Sequence, residues 1–321
     1  MAYTIKQIPE DFFVKEMPSY ELDENGRYCY FILEKRDYDT MKAVELIANW
    51  LKIPVKWIGF AGTKDKIAVT QQVCSAYGTS KEALERIKYK DIRITYLGKG
   101  KKPVSLGDLY GNSFIIVVRN LSKIVKLKEF YARQIQNYFG EQRFSESNVE
   151  IGRSIIKRNF QKAVEMISQK EVRYYLEDNP GNFAGALRQI PLKIRKMYVH
   201  AYQSYIWNIA AKERMKTNMT TNEKIPIIGF GTELKDDAVG KIIRKIMFDE
   251  KITTRDFVIQ QIPELSSEGA ERDLFVMPQD FSASEPEEDE LNEGKYKITL
   301  QFTLPKGCYA TVVIEQMFSY L

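Results

Sequence analysis

The stretch FAGTKDKIAVTQQ, Phe60 to Gln72, joins two strand-like segments through a loop hinged at Gly62. Lys56 to Phe60 leads into it and Val69 to Ala76 leads out, both rich in the aromatic and β-branched residues that strands prefer. The loop from Ala61 to Lys66 presents one carboxylate, Asp65, between Lys64 and Lys66. Flanking ammonium groups favour the ionised form of a carboxylate. An ionised and positioned carboxylate suits a nucleophile, or a stabiliser of positive charge at a sugar carbon. Taken alone, a Lys-Asp-Lys triplet is more often an ordinary charged turn.

Outward from this loop, the first third of the chain reads as strands with one helix. Asp11 to Glu16 and Tyr28 to Leu33 read as strands. Asp39 or Thr40 can cap a helix whose apolar positions Val44, Ile47, Ala48 and Leu51 recur at helical spacing, and Pro54 stops it. Ser80 to Ile87 reads as a further helix, Ile92 to Leu97 as a strand, Lys99 to Pro103 as a flexible basic loop, and Phe114 to Arg119 as a strand. From about Leu121 the period turns helical, with helices expected over Lys123 to Phe139, Glu150 to Gln169 and Tyr198 to Thr217. The strand signal returns at Lys295 to Leu304 and Tyr309 to Ile314. A sheet resumed at the C-terminus implies that the helical region is an insertion.

At 321 residues the chain exceeds one average domain, so two lobes are expected. Its net charge of +5 is unevenly spread, because residues 285–293 (EPEEDELNE) hold six acidic groups. That run reads as a solvated loop between strands. The rest of the chain is correspondingly more basic, which points to a polyanionic partner. Lys99, Lys101 and Lys102 are candidates for RNA-backbone contacts. No segment approaches the roughly 18 uninterrupted apolar residues of a membrane span, and the N-terminus lacks the apolar stretch of a signal peptide. Cys29, Cys74 and Cys308 form neither a metal-spaced pair nor a disulfide framework, so a reducing cytoplasm is expected. The single histidine, His200, argues against a histidine-based triad or a histidine-rich metal site and reads as a packed helix residue.

The 60–72 stretch resembles the signature of the TruD family of tRNA pseudouridine synthases, A-G-x-K-D-x-x-A-V-T-x-Q, at Ala61, Gly62, Lys64, Asp65, Ala68, Val69, Thr70 and Gln72. Four further blocks are similar to family blocks in the same order: Lys6 to Val14 (KQIPEDFFV), Leu106 to Phe114 (LGDLYGNSF), Asn137 to Phe144 (NYFGEQRF) and Leu304 to Thr311 (LPKGCYAT). A sixth, from Arg195 through His200-Ala201-Tyr202-Gln203-Ser204 to Asn208, resembles the archaeal and eukaryotic branch.

The resemblance implies an α/β (α+β) protein. A pseudouridine synthase-like core with a mixed or antiparallel sheet, residues 1–134 and 278–321, would be interrupted by a mainly helical insertion domain at 135–277. It implies isomerisation of uridine to pseudouridine in tRNA, at position 13, without cofactor or metal. Asp65 would be the catalytic carboxylate and Lys6 its basic partner. Phe12, Asn112 and Tyr309 would line the pocket for the target nucleotide, and the neighbouring Phe114 is a further candidate for the aromatic platform. A flipped base needs such a platform, and an amide such as Asn112 can both donate to and accept from uracil. The protein is expected to be a cytoplasmic monomer whose partner is tRNA. A non-catalytic tRNA-binding protein that keeps the architecture is the alternative, and the intact Lys6, Asp65 and Asn112 weigh against it. A metal-dependent nuclease would need clustered acidic residues, and the sequence clusters them only in 285–293.

Overall fold

The computed structural model describes residues 2–125, 127, 134–144, 147–217 and 223–319. These form two compact units, Met1–Ile135 with Met277–Leu321, and Gln136–Val276. The first unit opens with β1 (Phe12–Pro18), β2 (Tyr28–Arg36), α1 (Thr40–Leu51), β3 (Ile58–Phe60), β4 (Val69–Tyr77), α2 (Lys81–Glu85), β5 (Ile92–Gly100) and β6 (Leu109–Leu121). Next come β7 (Ile135–Gln136), α3 (Asn148–Ile156), α4 (Phe160–Glu165), α5 (Lys170–Asp178), α6 (Phe183–Arg188), α7 (Leu192–Arg214), β8 (Lys224–Ile227), α8 (Ala238–Glu250), β9 (Ala270–Asp273) and β10 (Phe275–Val276). The chain then returns to the first unit with β11 (Gln279–Ala283), β12 (Glu287–Glu288), β13 (Tyr296–Pro305) and α9 (Ala310–Ser319).

A mixed nine-stranded sheet organises the first unit, in the order β11-β13-β6-β1-β4-β2-β5, with β12 beside β13 and β3 beside β4. β1 and β4 run parallel, and the segment β2-α1-β3 supplies the long crossover that a parallel pair needs. α1 starts where Asp39 accepts from the Met41 and Lys42 amides, and it buries Ala43, Val44, Ile47 and Ala48. Those side chains pack with Phe31, Leu33, Cys74 and Leu84 in one core cluster. β6 and β13 approach closely at Gly111, where an added Cβ would stand 2.2 Å from the Leu304 carbonyl oxygen. The second unit is built on α7, which buries Tyr198, Tyr202, Ile206 and Trp207.

Several segments differ from their sequence expectation. Tyr309 to Ile314 is not a strand, because the chain turns at Gly307 (φ +85°) and enters α9. Ala310, Val313, Ile314, Met317 and Phe318 are buried, and their spacing is helical although four of the first six residues suit a strand. Lys56 lies in a short 3-10 turn, and β3 begins only at Ile58. Lys99 and Gly100 are not loop residues, since the nine-residue β2 pairs β5 along its length and Cys29 faces Lys99. The expected helix over Glu150 to Gln169 is two helices. Arg158 turns left-handed between them (φ +62°), and its guanidinium donates to the Asp256 and Val258 carbonyls. Lys123 to Val125 is not helical, and Ile135–Gln136 pairs with β10, so tertiary pairing overrides the local period there. Residues 126 and 128–133 of that expected helix lie outside the described residues.

The acidic run at 285–293 is not simply solvated. Arg119 ends the apolar part of β6 with its side chain only 4 % exposed, and it would be a lone buried cation without partners. It donates to Asp11 at 2.8 Å, to Asp289 at 2.7 Å and to Glu290 at 2.9 Å. Asp289 also accepts from the Asn120 amide. Burial would raise its pKa, but the hydrogen bonds from Asn120, Asn292, Leu291 and Arg119 outweigh that and hold it below the ordinary 3.8. Its stabilisation is therefore complete above that ordinary value and is lost as pH falls through the lower folded value.

Arg119→Met should strand Asp11 and Asp289 as buried charges and cost about 3–5 kcal/mol. A lowered urea midpoint with an unchanged slope is the expected readout. A loss within about 1 kcal/mol, as for surface pairs, would show that the cluster does not hold this end of β6.

Candidate active site

Between β3 and β4 the loop bearing Asp65 is held mainly by groups outside it. Gly107 donates its amide to Ala61 O at 2.9 Å, in a left-handed turn (φ +93°) that glycine adopts without strain. The Gln72 side-chain amide donates to Gly62 O at 2.9 Å, and the Lys64 amide donates to Thr40 Oγ1 at 2.9 Å. Lys35 Nζ donates to Asp65 O at 2.7 Å. The Asp65 carboxylate meets Lys6, whose Nζ lies 3.0 Å from Oδ1. The Asp65 side chain remains 37 % exposed while that of Lys6 is 15 % exposed, so the carboxylate is paired yet open to an incoming group.

Lys6 occupies a left-handed backbone conformation (φ +58°), which a lysine takes only when its surroundings impose it. Those surroundings are visible. Thr4 exchanges both backbone hydrogen bonds with Arg119, and the Lys6 ammonium sits 4.1 Å from the Phe12 ring centroid. The flanking-cation reading of the loop needs correcting for Lys64. Its ammonium turns away to Glu16 at 2.5 Å, where the two side chains are 8 % and 1 % exposed. The cations near Asp65 come instead from distant parts of the chain, Lys6 and Lys35.

The remaining candidates share one region of the sheet. Phe12 begins β1, and Phe114 lies in β6 across from Val14 and Phe302. The Phe12 and Phe114 rings meet edge to face at 6.1 Å, and Phe114 tilts against Phe302 at 5.6 Å. Both Phe12 and Phe114 are buried, so they form a wall rather than a displayed platform. Asn112 faces Glu16 on one side and Leu304 on the other, and its Oδ1 is buried with no hydrogen-bond partner among the described residues. A buried unpaired acceptor is costly and asks for a donor. Tyr309 sits half-buried at the entrance to α9.

Lys99, Lys101 and Lys102 are exposed. Lys101 is engaged by Asp23 at 2.6 Å, while the Lys102 carbonyl accepts from Tyr30 at 2.7 Å and leaves its ammonium without a carboxylate partner among the described residues. His200 lies in α7, and burial followed by Arg143 and Lys196 pushes its pKa down, which keeps it neutral. Beneath the Asp65 loop runs a band of buried polar residues: Thr70 and Gln72 of the signature, Thr40 at the start of α1, and Glu16 and Lys35, which no motif singled out. A signal for two of them exists. Phe12-Val14-Glu16 and Phe31-Leu33-Lys35 share one strand parity, so the charged residue at the end of each run must face inward with the apolar ones.

No group of three or more potential metal ligands occurs among the described residues, and no described helix is long and apolar enough to cross a membrane. The family model for tRNA pseudouridine synthase D (TruD) matches residues 1–174, 165–226 and 219–317. A Methanococcus vannielii protein named "Probable tRNA pseudouridine synthase D" is 32% identical, with 98% of this chain and 94% of the relative covered. The tRNA pseudouridine synthase D of Aquifex aeolicus is 29% identical, with 99% and 98% covered. A crystal structure from Methanosarcina mazei bearing the TruD designation superposes with a TM-score of 0.73 at 28% identity, over 98% of this chain and 93% of that one. This chain belongs to the tRNA pseudouridine synthase D (TruD) family.

Proposed function

We propose that this chain isomerises uridine to pseudouridine in tRNA, at position 13, with Asp65 as the catalytic carboxylate and no cofactor. The observation that carries the reading is the Lys6–Asp65 pair at 3.0 Å, on a loop whose carboxylate stays accessible. Family membership supplies the reaction class.

A uridine swung out of the RNA stack would place its base against the ring cluster and Tyr309. The buried Asn112 Oδ1 supplies the acceptor that the uracil N3–H requires. Asp65 assists cleavage of the bond between uracil N1 and ribose C1′. The base turns while held, C5 bonds to C1′, the hydrogen on C5 leaves as a proton, and N1 gains one. No electrons are exchanged with a second molecule, so the chemistry needs no redox partner. The apolar wall of Phe12 and Phe114 keeps water from intercepting the opened glycosidic bond. Lys6 has two tasks in this scheme. It fixes the carboxylate, and it shields the Phe12 ring until substrate arrives. The enzyme acts as a monomer on cytoplasmic tRNA, gripping phosphates through Lys102 and its neighbours.

Asp65→Ala should reduce tritium release from 5-labelled uridine in tRNA by at least about 10⁴-fold while leaving tRNA affinity nearly unchanged. Full activity in that variant would remove Asp65 from the mechanism. If tRNA binds but neither protein releases tritium, the chain is a non-catalytic tRNA binder.

Affinity for tRNA should fall steeply with salt, and Lys102→Ala should shallow the log–log slope by about one unit. Lys101→Ala should do less, because Asp23 already holds that ammonium. Equal effects at both positions would contradict this assignment.

A further inference from the structure

We propose that Lys35 is a positioning residue for the isomerisation: from beneath the loop, its buried ammonium holds the Asp65 peptide and thereby aims the carboxylate at the ribose. The inference rests on Asp65 being the reacting group, as proposed above.

Three observations carry it. Lys35 is 0 % exposed, among the largest fully buried side chains of the molecule. It has no carboxylate at ion-pair distance among the described residues, unlike Lys64 and Arg119, whose buried charges are matched. Its recorded hydrogen bond goes to the main chain of the one residue that the proposed chemistry needs, at 2.7 Å. A buried ammonium without a counter-ion is unfavourable for folding, and an apolar side chain of similar length would fill the same space at less cost. Stability therefore does not account for a cation at this position, whereas loop placement does. Lys6 and Lys35 divide the work. Lys6 grips the carboxylate end of Asp65, and Lys35 grips its carbonyl.

The charged groups that face Lys35 are Asp65 and Lys64 of the loop and Asp39 at the start of α1. Its strand neighbours, Thr70 on β4 and Ile92 on β5, carry no charge. Burial pushes the Lys35 pKa down to about 8, with Asp65 and then Asp39 opposing that shift and Lys64 adding to it. Below that pH the folded protein carries the ammonium. Above it the amine is neutral, its hydrogen bond to the carbonyl weakens, and the positive charge beneath Asp65 is gone. The rate should therefore fall as pH rises through about 8.

The test compares Lys35→Met and Lys35→Arg with the unaltered protein in single-turnover tritium release at saturating tRNA. Lys35→Met should slow the reaction about 100-fold, the scale of a small misplacement of a reacting group. Its tRNA affinity should stay within about twofold, since uniform binding is untouched, and its melting temperature should not drop. Lys35→Arg, which stays charged, should recover much of the rate and abolish the fall near pH 8. A full rate in Lys35→Met would overturn the proposal. So would a loss of rate that only tracks lost affinity or stability, or an alkaline fall that persists unchanged in Lys35→Arg. Should Lys35→Met fail to fold, the pH profiles of the other two proteins decide the matter. A flat profile in the unaltered protein between about pH 7 and 10, spanning the shifted and ordinary lysine values, would likewise overturn it. Absence of tritium release from the unaltered protein would instead sink the isomerase reading itself.

Discussion

A carboxylate on a loop is only as well placed as the groups that hold the loop. Between β3 and β4 the chain leaves the sheet's ladder, and its carbonyls and amides find partners in side chains from α1, β2 and β4 and in the turn before β6. Everything proposed for the site depends on this borrowed framework. Because Thr40, Lys35 and Gln72 are themselves buried, the loop is tied to the interior of the unit, although its tip stays open to solvent. Precise placement on rigid elements is what separates a usable catalytic group from one merely nearby.

The second constraint is the buried guanidinium of Arg119. It is paired through its backbone to Thr4 and through its side chain to Asp11, Asp289 and Glu290. Between Thr4 and Asp11 lies Lys6, held in its left-handed turn. The acidic segment from the C-terminal part of the chain thus anchors the N-terminal segment that delivers the partner of Asp65. A charge network in the sheet thereby fixes the geometry of a salt bridge that is too exposed to be strong by itself.

The same sheet face changes character across its width. Toward β5 it is apolar and covered by α1, and toward β13 it is lined by Phe114 and Phe302. Between them lie Glu16, Lys35, Thr70, Gln72 and Asn112. Glu16, Lys35 and Gln72 are bonded to the loop, but Asn112 Oδ1 and Thr70 Oγ1 are left without partners among the described residues. A buried polar atom left unpaired in an otherwise well-bonded band is costly unless an ordered water or another group bonds it.

The sequence by itself determined β1 to β6 and β13 of the first unit, the capped helix α1, the loop with its lone carboxylate and the motif order that names the family. These follow from local rules: alternation, a capping aspartate, a glycine hinge and residue identity at fixed spacing. It did not determine that Tyr309 to Ile314 would enter a helix, because a β-branched run suits both states and only the burial of Ala310, Val313 and Met317 chose between them. Nor could it show that the acidic run would neutralise an arginine about 170 residues earlier. The cations of Asp65 were equally hidden. Chain adjacency pointed to Lys64, whereas the fold sent Lys64 to Glu16 and brought Lys6 and Lys35 in its place. Charge pairing acts through space and is decided by which strands lie side by side, so only the tertiary structure could settle it.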